Sequence, residues 1–180
     1  MNKARIQFLT RTGVLLAVVV VVQMLGRLIP GTFSNFIVGP LVNMCLILAA
    51  MSAGIWGGVT IAVLSPFTSL INNHAPIAAA LLPFAPFIAL ANVILVVCVY
   101  YMYNKNMYVG VISGAVLKFG LLYGAINLFL NLFDFPKFAE KLLAMFSWPQ
   151  LITALIGGFI ALPVVIQLKK YDKNRSNSAM

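Results

Sequence analysis

The sequence predicts an all-α integral membrane protein built as a bundle of six transmembrane helices. Of its 180 residues, 62% are hydrophobic and only 8% are charged, whereas a soluble domain is typically about half apolar and a quarter charged. The apolar residues also fall in runs close to the length that spans a bilayer as a helix, about 20 residues. Polar clusters, prolines and glycines separate these runs, so each run is predicted to cross the membrane once.

The predicted spans follow one another along a single membrane domain. They cover approximately residues 12–29, 36–51, 55–70, 79–101, 108–132 and 146–168, and residues 169–180 form a basic cytoplasmic tail. Pro30-Gly31 ends the first run, and only residues 52–54 separate the second from the third. The segment at about 133–145 mixes charged and apolar residues, which predicts a short amphipathic helix on the outer surface.

The lysines and arginines predict the orientation, because cytoplasmic flanks of membrane spans are enriched in them. With the N-terminus inside, the inner flanks hold eight of these residues and the outer flanks hold three. We therefore expect a multi-pass protein of the bacterial plasma membrane with both termini in the cytoplasm. The net charge of +9 is explained by these flanks, and we expect no binding to nucleic acid.

Polar side chains collect in the outer halves of the predicted spans and in the outer loops. Polar groups at membrane depth are costly and usually face a cavity or the bundle interior. A channel would need a polar path through both halves, so this one-sided distribution predicts an outward-facing pocket above an apolar floor. The candidate substrate-binding residues are Gln23, Arg27, Asn43, Asn72, Asn73, His74, Asn92, Lys118, Tyr123, Asn127, Trp148 and Gln150.

Helical spacing divides some of these candidates between faces. Gln23 and Arg27 are four residues apart and share a face, as do Tyr123 and Asn127. Lys118 lies nine positions from Asn127, close to half a turn away. In a regular helix only one of the two can face the pocket, and the sequence leaves open which one does.

Small residues four apart allow helices to approach closely, and the first span carries such a pair in Gly13 and Ala17. This pair lies about a quarter turn or more from Gln23 and Arg27. The first span can therefore present one face to the pocket and another to a partner membrane protein.

Enzymatic chemistry is not indicated. His74 has no neighbouring acid or metal-ligand partner, and Cys45 and Cys98 lack metal-site spacing. We expect no metal and no cofactor. The predicted outward-facing pocket favours a protein that captures a substrate. The alternative is a stand-alone secondary transporter or a structural membrane subunit.

The charges within the spans also bear on the ligand. All three acids, Asp134, Glu140 and Asp172, lie in loops or the tail, whereas a bound cation usually needs a buried counter-charge. Arg27 and Lys118 offer positive charge instead. The ligand is therefore expected to be neutral or anionic, for example flavin-like or bearing a carboxylate.

The ordered set of motifs resembles the substrate-binding S components of energy-coupling factor (ECF) vitamin transporters over nearly the whole chain. Besides six spans in 180 residues, the resemblance rests on the small pair of the first span and on five further segments. These are GPLVN at 39–43, GIWGG at 54–58, NNHAP at 72–76, LPFAPFIALAN at 82–92 and FSWPQ at 146–150.

The resemblance implies a mechanism. An S component binds a vitamin with high affinity at the extracellular side and docks on a coupling transmembrane protein that carries two cytoplasmic ATPases. In the family an Ala-xxx-Ala row on the first helix meets the coupling protein, and here Gly13 and Ala17 occupy that row. The chain has no Gly-x-x-x-x-Gly-Lys-Ser/Thr phosphate loop, so ATP hydrolysis would fall to the partners.

Overall fold

A computed structural model describes residues 3–29, 33–71, 81–132 and 139–177, and all but a few connecting residues among these are helical. Two short 3-10 turns, Gly26–Leu28 and Leu82–Phe84, accompany the α-helices. The α-helices are α1 (Lys3–Leu25), α2 (Phe33–Ser52), α3 (Ile55–Ile71), α4 (Ala85–Leu132), α5 (Ala139–Phe146) and α6 (Trp148–Asn177).

Four apolar stretches of the described residues are long enough to cross a membrane. They are Arg5–Leu25, Ser34–Ser52, Leu82–Leu132 and Ala139–Tyr171, and the shorter apolar helix Ile55–Leu70 joins them. The chain is therefore an integral membrane protein of helical type. Helix α1 begins nine residues before the predicted first span, and α6 continues through residues 169–177, which the sequence assigned to a tail.

Helix α4 is two helices joined by a sharp turn. A straight helix of its 48 residues would be about 72 Å long, more than twice the hydrocarbon thickness of a bilayer, about 30 Å. The backbone leaves helical geometry at Asn106 (φ −158°, ψ 105°). The Asn106 side chain then accepts hydrogen bonds from the N–H groups of Tyr108 and Val109, which caps the new helix. We call residues 85–105 the first arm of α4 and residues 107–132 the second arm.

The two arms pack against each other in opposite directions. A Cβ added at Gly110 would lie 3.1 Å from Met102 Cβ, and one at Gly114 would lie 3.1 Å from Cys98 Cβ. Glycine at both positions lets the backbones approach closely, as small residues do between membrane helices. The polar turn at Asn104-Lys105-Asn106 is thus the tip of a helical hairpin.

A two-residue turn reverses the chain between α2 and α3. Gly54 has φ +87°, a conformation that glycine adopts without the steric cost of a Cβ. Its carbonyl accepts hydrogen bonds from the N–H groups of Gly57 and Gly58, which starts α3 at once. The short spacer seen in the sequence is therefore a tight connection between antiparallel helices.

Contacts between helices fix the direction of each one. The start of α1 lies beside the end of α2, where Arg11 donates a hydrogen bond to the Ser52 carbonyl. At the same time α6 runs antiparallel to the second arm of α4, since Lys169 lies over the Tyr103 ring near the hairpin tip. Successive long helices alternate in direction, and the start of α1 and the end of α6 lie at the same end of the bundle.

Helices α2 and α6 pack closely against each other along a seam. A Cβ at Gly39 would lie 2.9 Å from Thr153 Cβ, and one at Gly157 would lie 2.8 Å from Asn43 Cβ. Both glycines sit where the facing helix leaves no room for a side chain. This seam holds the middle of α2, including Asn43, in a fixed position beside the bundle interior.

Candidate functional site

A buried lysine lies at the centre of the bundle. Lys118, on the second arm of α4, is 3% exposed. Its Nζ donates hydrogen bonds to Asn43 Oδ1 at 2.6 Å and to Asn92 Oδ1 at 2.7 Å. Asn43 and Asn92 are themselves 2% and 4% exposed. Three helical segments, α2 and both arms of α4, thus meet at one ammonium group.

Hydrogen bonds extend this centre toward α1 and α3. Asn92 Nδ2 lies 3.3 Å from the Ser65 hydroxyl, and Gln23 Nε2 donates to the Ser65 carbonyl at 2.9 Å. The Thr68 hydroxyl lies 2.8 Å from Gln23 Oε1. We call these six residues the polar network: Gln23, Asn43, Ser65, Thr68, Asn92 and Lys118.

Helix periodicity explains why each member points inward. Gln23 lies on the same face of α1 as Thr12 and Val19, and all three are buried. Lys118 follows buried Gly114 on the second arm and precedes buried Leu122 at the same spacing. The inward faces are therefore encoded locally, while the meeting of the faces depends on how the helices pack.

An aromatic cluster covers the polar network along the second arm of α4. Leu122, Ile126 and Phe129 continue the buried face of Lys118 away from the hairpin tip. Phe84 packs 5.4 Å from Phe129 and 4.8 Å from Phe146 of α5, measured between ring centroids. These residues form one buried cluster, so the predicted amphipathic helix contributes its apolar side to the bundle.

The remaining candidates on the second arm and on α6 lie apart from the polar network. Tyr123 is 48% exposed and Trp148 is 58% exposed. Asn127 donates a hydrogen bond to the Tyr123 carbonyl of its own helix, and Gln150 donates to the Met145 carbonyl. In this structure Lys118, rather than Asn127, points into the bundle interior.

Gln150 does line a small cleft at the N-terminal ends of α2 and α6. Asn35 and Thr153 line it too, and its volume is about 120 Å³. Pockets for drug-sized ligands are typically about 300–1,000 Å³, so this cleft is too small to hold a vitamin. Asn72, Asn73 and His74 lie outside the described residues, and the same holds for the side chain of Arg27.

Ser65 and Thr68 are not among the candidate substrate-binding residues predicted from the sequence. The structure gives them a connecting role, because they join Gln23 of α1 to Asn92 of α4. Their spacing of three residues on one helix face was the available signal. No spacing pattern in the sequence predicted the aromatic cluster, because its members come from three separate segments.

The small pair of α1 lies on the side of that helix away from the polar network. Gly13 and Ala17 are exposed, and nothing lies within 4 Å of a Cβ added at Gly13. Exposed apolar residues, among them Val14, Val18 and Val21, continue the same surface. This face of α1 is therefore uncovered, unlike the glycines of the seam between α2 and α6.

Metal chemistry has no support in the described part of the chain, where no group of three or more histidine, cysteine or acidic side chains is arranged to hold a metal ion. The polar network consists instead of amides, hydroxyls and one ammonium group. Such groups bind ligands by donating and accepting hydrogen bonds.

Comparison with known proteins identifies a family to which the chain is similar. The family model described as "ECF transporter, substrate-specific component" matches residues 7–168 of the chain. No curated protein and no solved structure matches it. The matched region contains every residue of the polar network and the small pair of α1.

Proposed function

The chain belongs to the substrate-specific components of ECF transporters, and we propose that it is the capture subunit of an ATP-driven importer. In this proposal it binds a vitamin or a related micronutrient, neutral or anionic, at an outward-facing pocket. A coupling transmembrane protein then receives the loaded subunit, and two cytoplasmic ATPases supply the energy. The chain is a substrate-binding transport subunit by family, and the proposal assigns it no catalytic step.

The observation that carries the proposal is the polar network. Burying hydrogen-bonding groups inside an apolar bundle is unfavourable unless they are paired, and intramembrane ionisable residues commonly mark substrate pathways. Here Lys118 and its partners occupy the bundle centre, where four different helices contribute side chains. A purely structural subunit has no need to place an ammonium group there.

We further propose six membrane crossings with both termini in the cytoplasm. The two arms of α4 each cross once, and so do α1, α2, α3 and α6. The alternating directions support this count, and the hairpin tip with Lys105 lies at the same end as Lys169 of α6. These lysines are then at the cytoplasmic face, as positively charged flanks are in membrane proteins.

The uncovered face of α1 supports docking of the coupling protein there. Close approach between membrane helices needs small side chains, and Gly13 and Ala17 provide them on a face with no internal partner. Thr12, Val19 and Gln23 on another face of α1 are buried in the bundle. A single helix thus contacts the polar network on one side and is free for a partner on the other.

Native mass spectrometry of the purified protein tests the proposal. The chain is expressed in rich medium, extracted in detergent and examined for a stoichiometric small-molecule adduct, which chromatography of the extract then identifies. A panel of water-soluble vitamins is added in parallel, and the thermal unfolding midpoint is recorded for each. We expect one adduct or one stabilising vitamin. If no adduct forms and no vitamin raises the midpoint, the protein is not a capture subunit, and a secondary transporter or structural subunit becomes the better interpretation.

A further inference from the structure

The charge of Lys118 has no counter-charge among the described residues. Glu140 is the one acid whose side chain is described, and it is exposed on α5. The two groups that accept hydrogen bonds from Nζ, Asn43 Oδ1 and Asn92 Oδ1, are neutral amide oxygens. Burying an ammonium group without an anion is strongly unfavourable, and the described part of the chain does not supply the anion that would stabilise Lys118 best.

The hydrogen bonds around Lys118 also leave donors in excess. An ammonium group has three N–H donors and an asparagine amide has two. Two donors of Nζ are used, and Asn92 Nδ2 donates one bond to Ser65 Oγ. Because both amide oxygens already face Nζ, the third N–H of Nζ has no side-chain acceptor among the described residues. A group with several lone pairs and a negative charge would match both the charge and the remaining N–H groups.

Apolar surface adjoins the ammonium group on its outer side. Leu122, Ile126 and Phe129 lie one to three turns beyond Lys118 on the same helix face. Together with Phe84 and Phe146 they are buried in one cluster. An incoming molecule can reach Nζ from this side only if the cluster opens, and its body would then lie between aromatic rings while its end meets the ammonium.

We propose that the transported ligand is an oxyanion, bearing a carboxylate or a phosphate, and that this group pairs directly with Lys118. Its apolar or aromatic body packs against the cluster of Phe84, Phe129 and Phe146. The inference rests on the proposed capture function and narrows it, because neutral and cationic ligands are excluded. Asn43 and Asn92 act as positioning residues that hold Nζ toward the incoming anion.

The test compares the wild-type chain with Lys118→Met and Lys118→Arg, and uses Lys169→Met as the matched control at the far end of the bundle. Each protein is purified from rich medium, checked for a monodisperse folded state and examined by native mass spectrometry. Three acid and amide pairs then serve as probes in thermal unfolding and binding titrations. They are nicotinate with nicotinamide, pantothenate with its primary amide, and biotin with biotinamide.

We expect the wild type to carry an anionic adduct, or to be stabilised by an acid and not by its amide. Lys118→Met should weaken that binding on the order of 30-fold or more, because truncating one partner of a buried charge pair has a large cost. Lys118→Arg should retain part of the affinity, and Lys169→Met should bind as the wild type does. Retained binding in Lys118→Arg also shows that the site tolerates substitution without unfolding.

Different results would overturn the oxyanion inference and the capture function. A wild-type adduct that is neutral or cationic at neutral pH would overturn the oxyanion inference while supporting capture. An anionic adduct with unchanged occupancy in Lys118→Met would do the same. If the wild type carries no adduct and no probe or vitamin binds, the capture function itself fails, and the inference fails with it.

Discussion

The seam between α2 and α6 allows a quantitative test of the packing. A Cβ placed at Gly157 would contact the Pro40 carbonyl oxygen and lie 2.8 Å from Asn43 Cβ, closer than real Cβ contacts come. The contacted atoms belong to the backbone and the first side-chain carbon of α2, so they cannot rotate away. Gly157→Ala therefore forces the two helices apart.

Gly120→Ala is the matched control, because nothing lies within 4 Å of a Cβ added at Gly120. Both glycines are inside helices, where alanine is favoured over glycine by about 1 kcal/mol. That gain is common to both variants and cancels in the comparison. The remaining difference is the cost of overpacking, about 1–3 kcal/mol, so Gly157→Ala should be less stable than Gly120→Ala by that amount.

The assay is reversible unfolding of the purified protein by a denaturing detergent titrated into mixed micelles, followed by far-UV circular dichroism. We expect the unfolding midpoint of Gly157→Ala to fall below that of Gly120→Ala. Since α2 carries Asn43, the same variant should also bind the ligand of the wild type less tightly. Equal midpoints for the two variants would show that α2 and α6 are not packed as described and would refute the reasoning.

Three further changes test other parts of the structure. Asn106→Ala removes the cap of the second arm of α4 and should lower the free energy of unfolding by about 1 kcal/mol, whereas Asn106→Asp should stay close to the wild type. Denaturant titration measures both variants, and an equal loss of stability in the two would argue against the cap. Gln23→Leu removes the link from α1 to Ser65 and Thr68. It should cost about 0.6 kcal/mol and at most about 1.7 kcal/mol, the average and the maximum for hydrogen bonds between membrane helices; an unchanged unfolding midpoint would show that the link does not hold α1. Gly13→Leu fills the open face of α1 and should abolish co-purification with the coupling protein while ligand binding persists; a complex that still forms would place the docking surface elsewhere.

Much of this protein is determined by its sequence. The apolar composition and the spacing of polar breaks suffice to predict a helical membrane protein, because each span must satisfy its backbone hydrogen bonds internally. Periodicity placed Gly13 and Ala17 on a different face of α1 from Gln23, and opposed Lys118 to Asn127. These inferences need only the geometry of a single helix, and they match the positions of these side chains in the structure.

The tertiary structure alone decided which faces meet. Lys118 and Asn43 are 75 positions apart, and no local pattern relates them. Gly13 and Gly157 look alike in sequence, yet the first is open to the surroundings and the second touches the backbone of α2. The physical reason is that the sequence of a helix fixes the angle between its own side chains, while the identity of its neighbours depends on the simultaneous packing of all helices in the bundle.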